Sequence, residues 1–185
     1  MSSEAGRAAV FLDRDGVINV DRGYVVRWSD FEFLPGTLPA LKALQELGYL
    51  LMIVTNQSGI GRGYYTEGDF ALLSTQLIDH LAEEGIKLTA IYHCPHHPTD
   101  AQGGYRQACN CRKPAPGMLL RGLQDWDLDA SRCVIVGDKP SDIAAGEAAG
   151  IGRRFHVTSG EVCPGAEPVS GLPQVVQRLN GLAPT

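Results

Sequence analysis

Residues 8–16 read AAVFLDRDG, in which a short apolar run ends at Asp13 and a second acid, Asp15, follows two positions later. A run of this length that is apolar throughout is typical of a parallel strand with both faces buried. Parallel α/β sheets bind their ligands at the carboxyl ends of the strands, which is where these two acids would lie. The stretch therefore predicts a parallel α/β sheet with a polar site at one edge.

More apolar runs and several helical patterns extend this prediction along the chain. The runs are 50–55, 88–93, 132–138 and a weaker one at 151–157. Helical patterns separate them at 37–47, 67–84, 116–126, 140–149 and 172–179. Strands that alternate with helices favour right-handed crossovers and a parallel sheet. We predict a Rossmann-like three-layer α/β sandwich with a mainly parallel sheet, as a single domain over residues 1–185 with its core at about 8–180 and no large cap domain.

Composition limits the functional classes. The chain has 185 residues, 44% of them hydrophobic, which suits one substantial core. Its formal net charge of −5 disfavours a nucleic-acid-binding protein, which usually carries a broad basic face. No apolar stretch approaches the ~20 residues that span a bilayer, and the first residues show no secretory pattern. We expect a cytoplasmic protein without nucleic-acid or membrane partners, and a monomer because no element looks apolar enough to demand a dimer.

The side chains predicted at one sheet edge suit phosphoryl transfer. An isolated Asp-x-Asp is most often a solvated turn, but the pattern also brings Thr55, Asp138 and, ahead of a helix, Lys113 to this edge. A carboxylate can attack phosphorus once cations offset the charge of the phosphate dianion, and oxygen-rich sites suit Mg²⁺. A second acid can protonate the leaving group and then accept a proton from water.

Four motifs in chain order resemble those of the haloacid-dehalogenase-like phosphatases. They are DRDG, TNQSG, CRKP and GDKPSD, which begin at residues 13, 55, 111 and 137. The resemblance extends from about Ala8 to Gly152. The dehalogenases of this superfamily have one acid where this chain has two, so the pair favours phosphate chemistry. The resemblance implies Mg²⁺ as a cofactor and an aspartyl-phosphate intermediate on Asp13.

The resemblance also implies a role for each motif residue. The catalytic set is Asp13, Asp15, Thr55 and Lys113, in which Asp13 is the nucleophile, Asp15 is the acid and base, and the other two stabilise the phosphoryl group. The magnesium ligands are Asp13, Asp138 and the backbone carbonyl of Asp15. Asp142 matches a position that often orients a lysine or the metal shell, so its role as a ligand stays open.

Cysteine and histidine residues in the long loop 94–113 predict a second metal site. Cys94, His96, Cys109 and Cys111 follow the pattern C-x-H-x₁₂-C-x-C, which is typical of a closed tetrahedral zinc site. Structural zinc would brace this loop, which has few apolar residues of its own. His97 is the alternative imidazole, although the Cys-x-His alternation favours His96, and unrelated thiols are the alternative for the whole pattern. Cys133 is interpreted as a core residue, and Cys163 has no assigned role.

Longer phrases narrow the resemblance to the D-glycero-D-manno-heptose 1,7-bisphosphate 7-phosphatases. They are FLDRDGVIN, YHCPHHP and CNCRKPAPGML. This resemblance implies removal of the C7 phosphate from a small-molecule sugar bisphosphate, leaving heptose 1-phosphate, in nucleotide-heptose and lipopolysaccharide core biosynthesis. Histidinol-phosphate phosphatases share the motifs and a similar zinc loop and are the first alternative. A non-catalytic, zinc-braced metal-binding module is the second. The preferred anomer at C1 and an ADP- or GDP-linked pathway are left open.

Substrate contacts are expected from segments that follow the motifs. The resemblance implies contacts from the loop Asp21, Arg22, Gly23 and Tyr24, and from Asn56, Gln57, Ser58 and Lys139. Arg112 is expected to bind the second phosphate because its planar guanidinium suits phosphate oxygens. Arg62 lies in a glycine-rich turn and is interpreted as exposed, and Tyr65 as a packing residue.

Overall fold

The computed structural model of the protein describes residues 6–181. Its centre is a six-stranded sheet in which every neighbouring pair is parallel. The strands are β1 (Ala9–Leu12), β2 (Leu50–Asn56), β3 (Leu88–Cys94), β4 (Val134–Gly137), β5 (Arg153–Val157) and β6 (Glu167–Val169). Their order is β3-β2-β1-β4-β5-β6, so the chain first builds outward from β1 to one edge and then returns to build the other half. This reversal leaves a crevice between the loops that follow β1 and β4.

Helices cover both faces of the sheet. They are α1 (Thr37–Glu46), α2 (Ser58–Gly61), α3 (Glu67–Glu83), α4 (Gly117–Asp125), α5 (Pro140–Ala148) and α6 (Leu172–Asn180). The helices α1, α3 and α6 contribute buried residues to the core on one face of the sheet, and α4 and α5 contribute to the core on the other. The result is three layers, with the sheet in the middle.

Strand β1 shows why its sequence is apolar throughout. Val10 and Leu12 pack into the core that contains α1 and α6, whereas Ala9 and Phe11 pack into the core that contains α4 and α5. All four residues are fully buried. Successive side chains of a strand point to opposite faces, so a strand with helices on both faces needs apolar residues at every position.

Two long segments rise above the carboxyl edge of the sheet, one between β1 and α1 and the other between β3 and α4. In the first segment, the backbone forms a hydrogen bond between two of its own residues, with Val20 N donating to Glu32 O at 2.8 Å. The second is attached to α2, because Gln102 N donates to Gly61 O at 2.7 Å. These hydrogen bonds hold both segments over the site as ordered loops.

The predicted three-layer α/β fold with a parallel sheet is confirmed. Two elements were missed, β6 and α2. Strand β6 has only three residues, and the middle one is a proline. The proline is tolerated because the strand lies at the sheet edge. Helix α2 reads SGIG, and its glycines disfavour a helix unless tertiary contacts hold it. Among residues 6–181, no helix combines the length and apolarity needed to cross a membrane.

Candidate active site

A cavity of about 630 Å³ opens at the carboxyl ends of β1 and β2, beside the crevice between β1 and β4. Most of the residues predicted for catalysis and substrate binding lie in its wall. The lining is Asp13, Asp15, Asp21, Gly23, Tyr24, Thr55, Asn56, Gln57, Ser58, Arg62, Tyr65, Arg112, Lys113, Pro114, Lys139, Ser141 and Asp142. The four predicted catalytic residues are therefore brought together from β1, β2 and the loop before α4.

Lys113 is the charged centre of the site. Its Nζ lies 2.9 Å from Asp13 Oδ1 and 2.6 Å from Asp142 Oδ1, and it donates to Val54 O at 2.7 Å. Burial raises the pKa of Asp13, and the Asp142 charge adds to this rise, while Lys113 acts against it. Burial lowers the pKa of Lys113, but Asp13 and Asp142 outweigh burial and leave it raised. The amine therefore stays charged between two carboxylates.

Asp138 follows β4 and adds a third carboxylate beside Asp13. Burial, followed by the charge of Asp13, raises the pKa of Asp138 to about 7. Its Oδ1 is buried and accepts no hydrogen bond from any residue between 6 and 181. Gly16 packs directly on this carboxylate with a φ of +86°, where any side chain would collide with Asp138. The acid is thus held in place by packing, with one oxygen left unpartnered.

The acids of this cluster fit a hard cation. Carboxylate oxygens of Asp13, Asp138 and Asp142 lie within 4.8 Å of one another. Asp142 is already engaged, because it pairs with Lys113 and its Oδ2 accepts from Lys139 N at 3.0 Å. The unpartnered oxygen of Asp138 and the carboxylate of Asp13 are therefore the better ligands for Mg²⁺, which prefers oxygen donors.

Asp15 is oriented by donors on both sides of its carboxylate. Arg14 Nη2 lies 3.0 Å from both carboxylate oxygens, and Asn19 Nδ2 donates to Oδ1 at 2.9 Å. The Arg14 guanidinium is itself buried and donates to Val25 O at 2.6 Å. The loop after β1 thus holds the second acid in one position relative to Asp13.

Gln57 connects Asp15 with Thr55. Its Nε2 donates to Asp15 Oδ2 at 3.2 Å and to Thr55 Oγ1 at 2.9 Å. Its Oε1 accepts from the Tyr65 hydroxyl, which fixes the orientation of the amide. Gln57 was predicted as a substrate contact, and it lies in the cavity wall, but its side chain is used within the protein. Nothing in the local sequence marks Tyr65 for this contact.

Asn56 holds the backbone of Lys113. Its Nδ2 donates to Lys113 O at 3.1 Å, and its Oδ1 accepts from Lys113 N at 3.1 Å. Two opposed hydrogen bonds therefore join the end of β2 to the loop that carries the amine. Asn56 was predicted as a substrate contact. It lines the cavity, and both ends of its amide are hydrogen-bonded to the Lys113 backbone.

The four predicted zinc ligands lie together at the start and end of the loop 94–113. Their ligand atoms are within 4.8 Å of one another in the group Cys94, His96, Cys109 and Cys111. Measured separations include 3.6 Å for Cys94 Sγ to Cys109 Sγ and 3.3 Å for His96 Nδ1 to Cys111 Sγ. Ligands about 2.3 Å from a tetrahedral zinc lie roughly 3.7 Å apart. The contacting pairs of this cluster lie 3.0–3.7 Å apart, at or somewhat below that spacing, so the donor set can hold the ion. His97 lies outside the group, and its Nδ1 accepts from Asp100 N at 2.9 Å.

Two arginines depart from the sequence-based expectations. Arg62, interpreted as an exposed turn residue, lines the cavity because α2 packs against the loop 94–113. Arg22, predicted to contact substrate, lies outside this lining and pairs with Glu32 beside a smaller neighbouring cavity. Lys139, also predicted to contact substrate, lines the main cavity 3.6 Å from Asp21 Oδ2. Whether each of these cations lies in the wall of the main cavity depends on long-range packing.

Known proteins resemble the chain in sequence. The profile of the family described as HAD-hyrolase-like matches residues 110–177. The D-glycero-beta-D-manno-heptose-1,7-bisphosphate 7-phosphatase of Vibrio cholerae serotype O1 is 48% identical over 155 residues, which cover 84% of this chain and 83% of that protein. The protein of the same name from Escherichia coli K12 is 42% identical over 179 residues, 92% of this chain and 94% of that one.

Solved structures of phosphatases also resemble the chain. A putative HAD-like phosphatase from Mesorhizobium loti superposes with a TM-score of 0.86 at 34% identity, over 97% of this chain and 89% of that one. The D,D-heptose 1,7-bisphosphate phosphatase of B. bronchiseptica, complexed with magnesium and phosphate, superposes with a TM-score of 0.81 at 30% identity, over 95% of this chain and 98% of that one. The chain is therefore a phosphoric monoester hydrolase that belongs to the D-glycero-beta-D-manno-heptose-1,7-bisphosphate 7-phosphatase family of HAD-like phosphatases.

Proposed function

We propose that this protein removes the C7 phosphate of D-glycero-D-manno-heptose 1,7-bisphosphate and releases heptose 1-phosphate. The observation that carries the proposal is the convergence of Asp13, Asp15 and Lys113 in one open cavity whose wall also contains Arg62 and Arg112. The names of the relatives support the substrate. Nucleotide-heptose and lipopolysaccharide core biosynthesis is the pathway that such a product would enter.

In the first chemical step, a carboxylate oxygen of Asp13 attacks phosphorus and the bond from phosphorus to the C7 oxygen breaks. Asp15 donates its proton to that oxygen, so the sugar leaves as an alcohol. The product on the enzyme is an aspartyl-phosphate. Asp15 is well placed for this transfer because Arg14, Asn19 and Gln57 fix the direction of its carboxylate.

In the second step, water attacks the aspartyl-phosphate while Asp15, now ionised, accepts a proton from it. The bond between phosphorus and Asp13 breaks, which restores the carboxylate and releases inorganic phosphate. Lys113 and the Thr55 hydroxyl stabilise the equatorial oxygens, where negative charge resides in both steps. Gln57 donates to Thr55 Oγ1, so the Thr55 hydroxyl acts there as an acceptor and keeps its own hydrogen for the phosphoryl group.

Asp13 and Asp138 would hold Mg²⁺, with the Asp15 backbone carbonyl as the third protein ligand that we propose. The ion, when bound, polarises the phosphoryl oxygens and offsets the repulsion between the carboxylates and the phosphate. The raised pKa of Asp138 and its unpartnered Oδ1 support this assignment, because both show that the protein alone does not neutralise this acid.

Zinc is proposed for the Cys94, His96, Cys109 and Cys111 cluster, where it would be structural because all four positions are taken by protein. It would hold the loop that ends in Arg112 and Lys113. No disulfide links any of the five cysteines, which all lie within residues 6–181, and cysteines kept reduced or used as metal ligands suit a reducing compartment, which supports the proposed cytoplasmic location.

The decisive experiment is phosphate release from a substrate panel with Mg²⁺ present. The panel contains both C1 anomers of the heptose bisphosphate and histidinol phosphate. We expect kcat/KM for one bisphosphate anomer to exceed that for histidinol phosphate by at least about 100-fold, or about 2.7 kcal/mol of transition-state stabilisation. A preference for histidinol phosphate would replace the proposed substrate. No turnover of any phosphate ester, with both metals bound, would favour a non-catalytic metal-binding module.

A further inference from the structure

The cavity contains a cation that the mechanism above does not use, the guanidinium of Arg62. We propose that Arg62 binds the non-reacting phosphate of a bisphosphate substrate alongside Arg112, and that Asp100 competes with this phosphate for Arg62. This inference rests on the proposed function and extends it by naming a specificity-determining residue and its internal competitor.

The backbone at Arg62 is firmly attached to the loop 94–113. Arg62 O accepts from Gln102 Nε2 of that loop at 3.2 Å. On the other side, Arg62 N donates to Ser58 O of α2 at 2.9 Å. Gly61 lies so close to this loop that a Cβ there would collide with Pro95 O. The side chain of Arg62 thus starts from a rigid base, which reduces the conformational entropy lost when it binds a ligand.

The guanidinium itself is weakly engaged. Its Nη2 lies 3.3 Å from Asp100 Oδ2, and the Asp100 side chain is 56% exposed, whereas that of Arg62 is 24% exposed. Its Nε is buried and has no hydrogen-bond partner within the described part of the chain, residues 6–181. A guanidinium has five donors in a planar fork that matches phosphate, so Arg62 retains donors for an anion.

The charges in the cavity are unequally distributed. Lys113 is neutralised by Asp13 and Asp142 at 2.9 and 2.6 Å. Arg112 donates through Nη1 to the backbone oxygen of His96 at 3.3 Å and forms no ion pair with any described residue. The reacting phosphate belongs at the carboxylates, where Asp13 is. Arg112 lies near the end of the loop 94–113, and Arg62 directly follows α2, which packs on that loop. The two arginines offer the second phosphate positive charge that no buried carboxylate cancels.

Asp100 takes the place of that phosphate in the free enzyme. It contacts Arg62 and also lies 3.7 Å from His97 Nδ1. An exposed carboxylate on a loop forms a weak pair that water and salt screen. A phosphate dianion can accept two parallel hydrogen bonds from the guanidinium, so it displaces Asp100.

The test compares Arg62→Gln with wild type on two substrates, heptose 1,7-bisphosphate and heptose 7-phosphate, which lacks only the second phosphate. We expect KM for the bisphosphate to rise by about 10- to 50-fold, the size of a lost charge-assisted hydrogen-bond pair, with kcat within about threefold. Both constants for heptose 7-phosphate stay near wild type. Arg62→Lys restores part of the KM. Arg121→Gln, which removes an exposed arginine from α4, is the matched control and changes neither substrate.

Asp100→Asn tests the competition. We expect KM for the bisphosphate to fall by about two- to fivefold and the double variant Arg62→Gln/Asp100→Asn to behave like Arg62→Gln alone, since the two residues are coupled. If Arg62→Gln raises KM for both substrates equally, or for neither, the inference is wrong although the proposed function stands. If wild type does not hydrolyse the bisphosphate, the proposed function fails first.

Discussion

The protein holds its two groups of possible metal ligands differently. The carboxylate cluster is Asp13, Asp138 and Asp142, and the thiol cluster is Cys94, His96, Cys109 and Cys111. In each, the ligand atoms lie within 4.8 Å of one another. Asp13 and Asp138 directly follow the buried strands β1 and β4, and Asp142 lies in the first turn of α5. Lys113 bridges Asp13 and Asp142. Of the four predicted zinc ligands, His96, Cys109 and Cys111 lie outside any helix or strand, and the ligand atoms in the group lie 3.0–3.7 Å apart in the contacting pairs.

This difference indicates different consequences of metal loss. The sheet preorganises the carboxylates at an electrostatic cost, which the raised pKa values of Asp13 and Asp138 record. Under the proposed function, removal of Mg²⁺ should abolish turnover while the sheet keeps these carboxylates in place. The residues of the thiol cluster other than Cys94 lie outside any helix or strand, so a bound zinc ion would add to the hydrogen bonds that hold this loop against α2. The two clusters are joined at Cys111 and Lys113, which are two residues apart.

The largest effect is expected from Asp13→Asn, which isolates the chemistry of the carboxylate cluster. We expect kcat to fall by on the order of 10⁴-fold or more, because no other nucleophile occupies its position. The melting temperature should stay close to that of wild type, because burial penalises the ionised carboxylate that the substitution removes. Phosphate release and thermal unfolding measure the two quantities.

Asp125→Asn, a surface carboxylate on α4, is the control for this substitution and should leave kcat unchanged. Residual activity of Asp13→Asn above about 1% of wild type would contradict covalent catalysis by Asp13.

For the thiol cluster we expect the main effect on stability, when Cys109→Ser removes one predicted zinc ligand. We expect zinc to be lost and the melting temperature to fall by roughly 10 °C, which corresponds to about 3–4 kcal/mol in a chain of this length. Metal analysis and calorimetry provide the measurements. Cys163→Ser, which alters a thiol outside the cluster, should retain the zinc. A Cys109→Ser protein with full metal content and wild-type stability would show that the cluster is not a zinc site.

Asn56→Ala tests the connection between the two regions. Without the two hydrogen bonds to the Lys113 backbone, we expect kcat to fall by about 10-fold while KM changes by less than about threefold, because the amine is displaced from the phosphoryl group. Steady-state kinetics separates the two constants. Asn180→Ala, at the exposed end of α6, is the control. A rise in KM with unchanged kcat would instead make Asn56 a substrate contact.

The smallest effect concerns stability and pH in the absence of divalent ions. The pKa of Asp138 is about 7 in the fold against 3.8 for the ordinary carboxyl, so the folded state binds the proton more tightly than the unfolded state. The contribution of this group is therefore full below about pH 4 and is lost as pH rises toward and through 7. We expect the free energy of unfolding to decline between pH 5 and 8, and Asp138→Asn to flatten this decline in urea titrations.

Asp129→Asn is the matched control for the pH experiment. Hydrogen bonds from Ser131 lower the pKa of Asp129, so it is ionised throughout this range and its loss should leave the slope unchanged. A slope that persists in Asp138→Asn would assign the proton to another group. Addition of Mg²⁺ to wild type should also reduce the slope, since the cation replaces the proton.

The residues at strand ends were accessible to sequence reasoning. Asp13, Thr55 and Asp138 each follow an apolar run, and parallel strands bring their carboxyl ends to one edge. The clustering of Cys94, His96, Cys109 and Cys111 was equally accessible, because they form two short pairs, C-x-H and C-x-C. Gln57 and Asn56 differ: both were predicted to face substrate, yet their amides bind Thr55 and Lys113 within the protein. Amide partners depend on rotamers and on loops distant in sequence, which no local pattern encodes.

The sequence by itself determined the parallel sheet, the order of its first five strands along the chain and the acids that follow two of them, because burial on both faces demands continuous apolar runs. Only the tertiary structure decided which cations face the cavity. Arg62 lies in its wall and Arg22 outside it, although both are arginines in polar, glycine-containing segments. The physical reason is that a side chain's surroundings depend on how two loops pack, and here α2 packs on the loop 94–113 through contacts across about 40 residues of sequence.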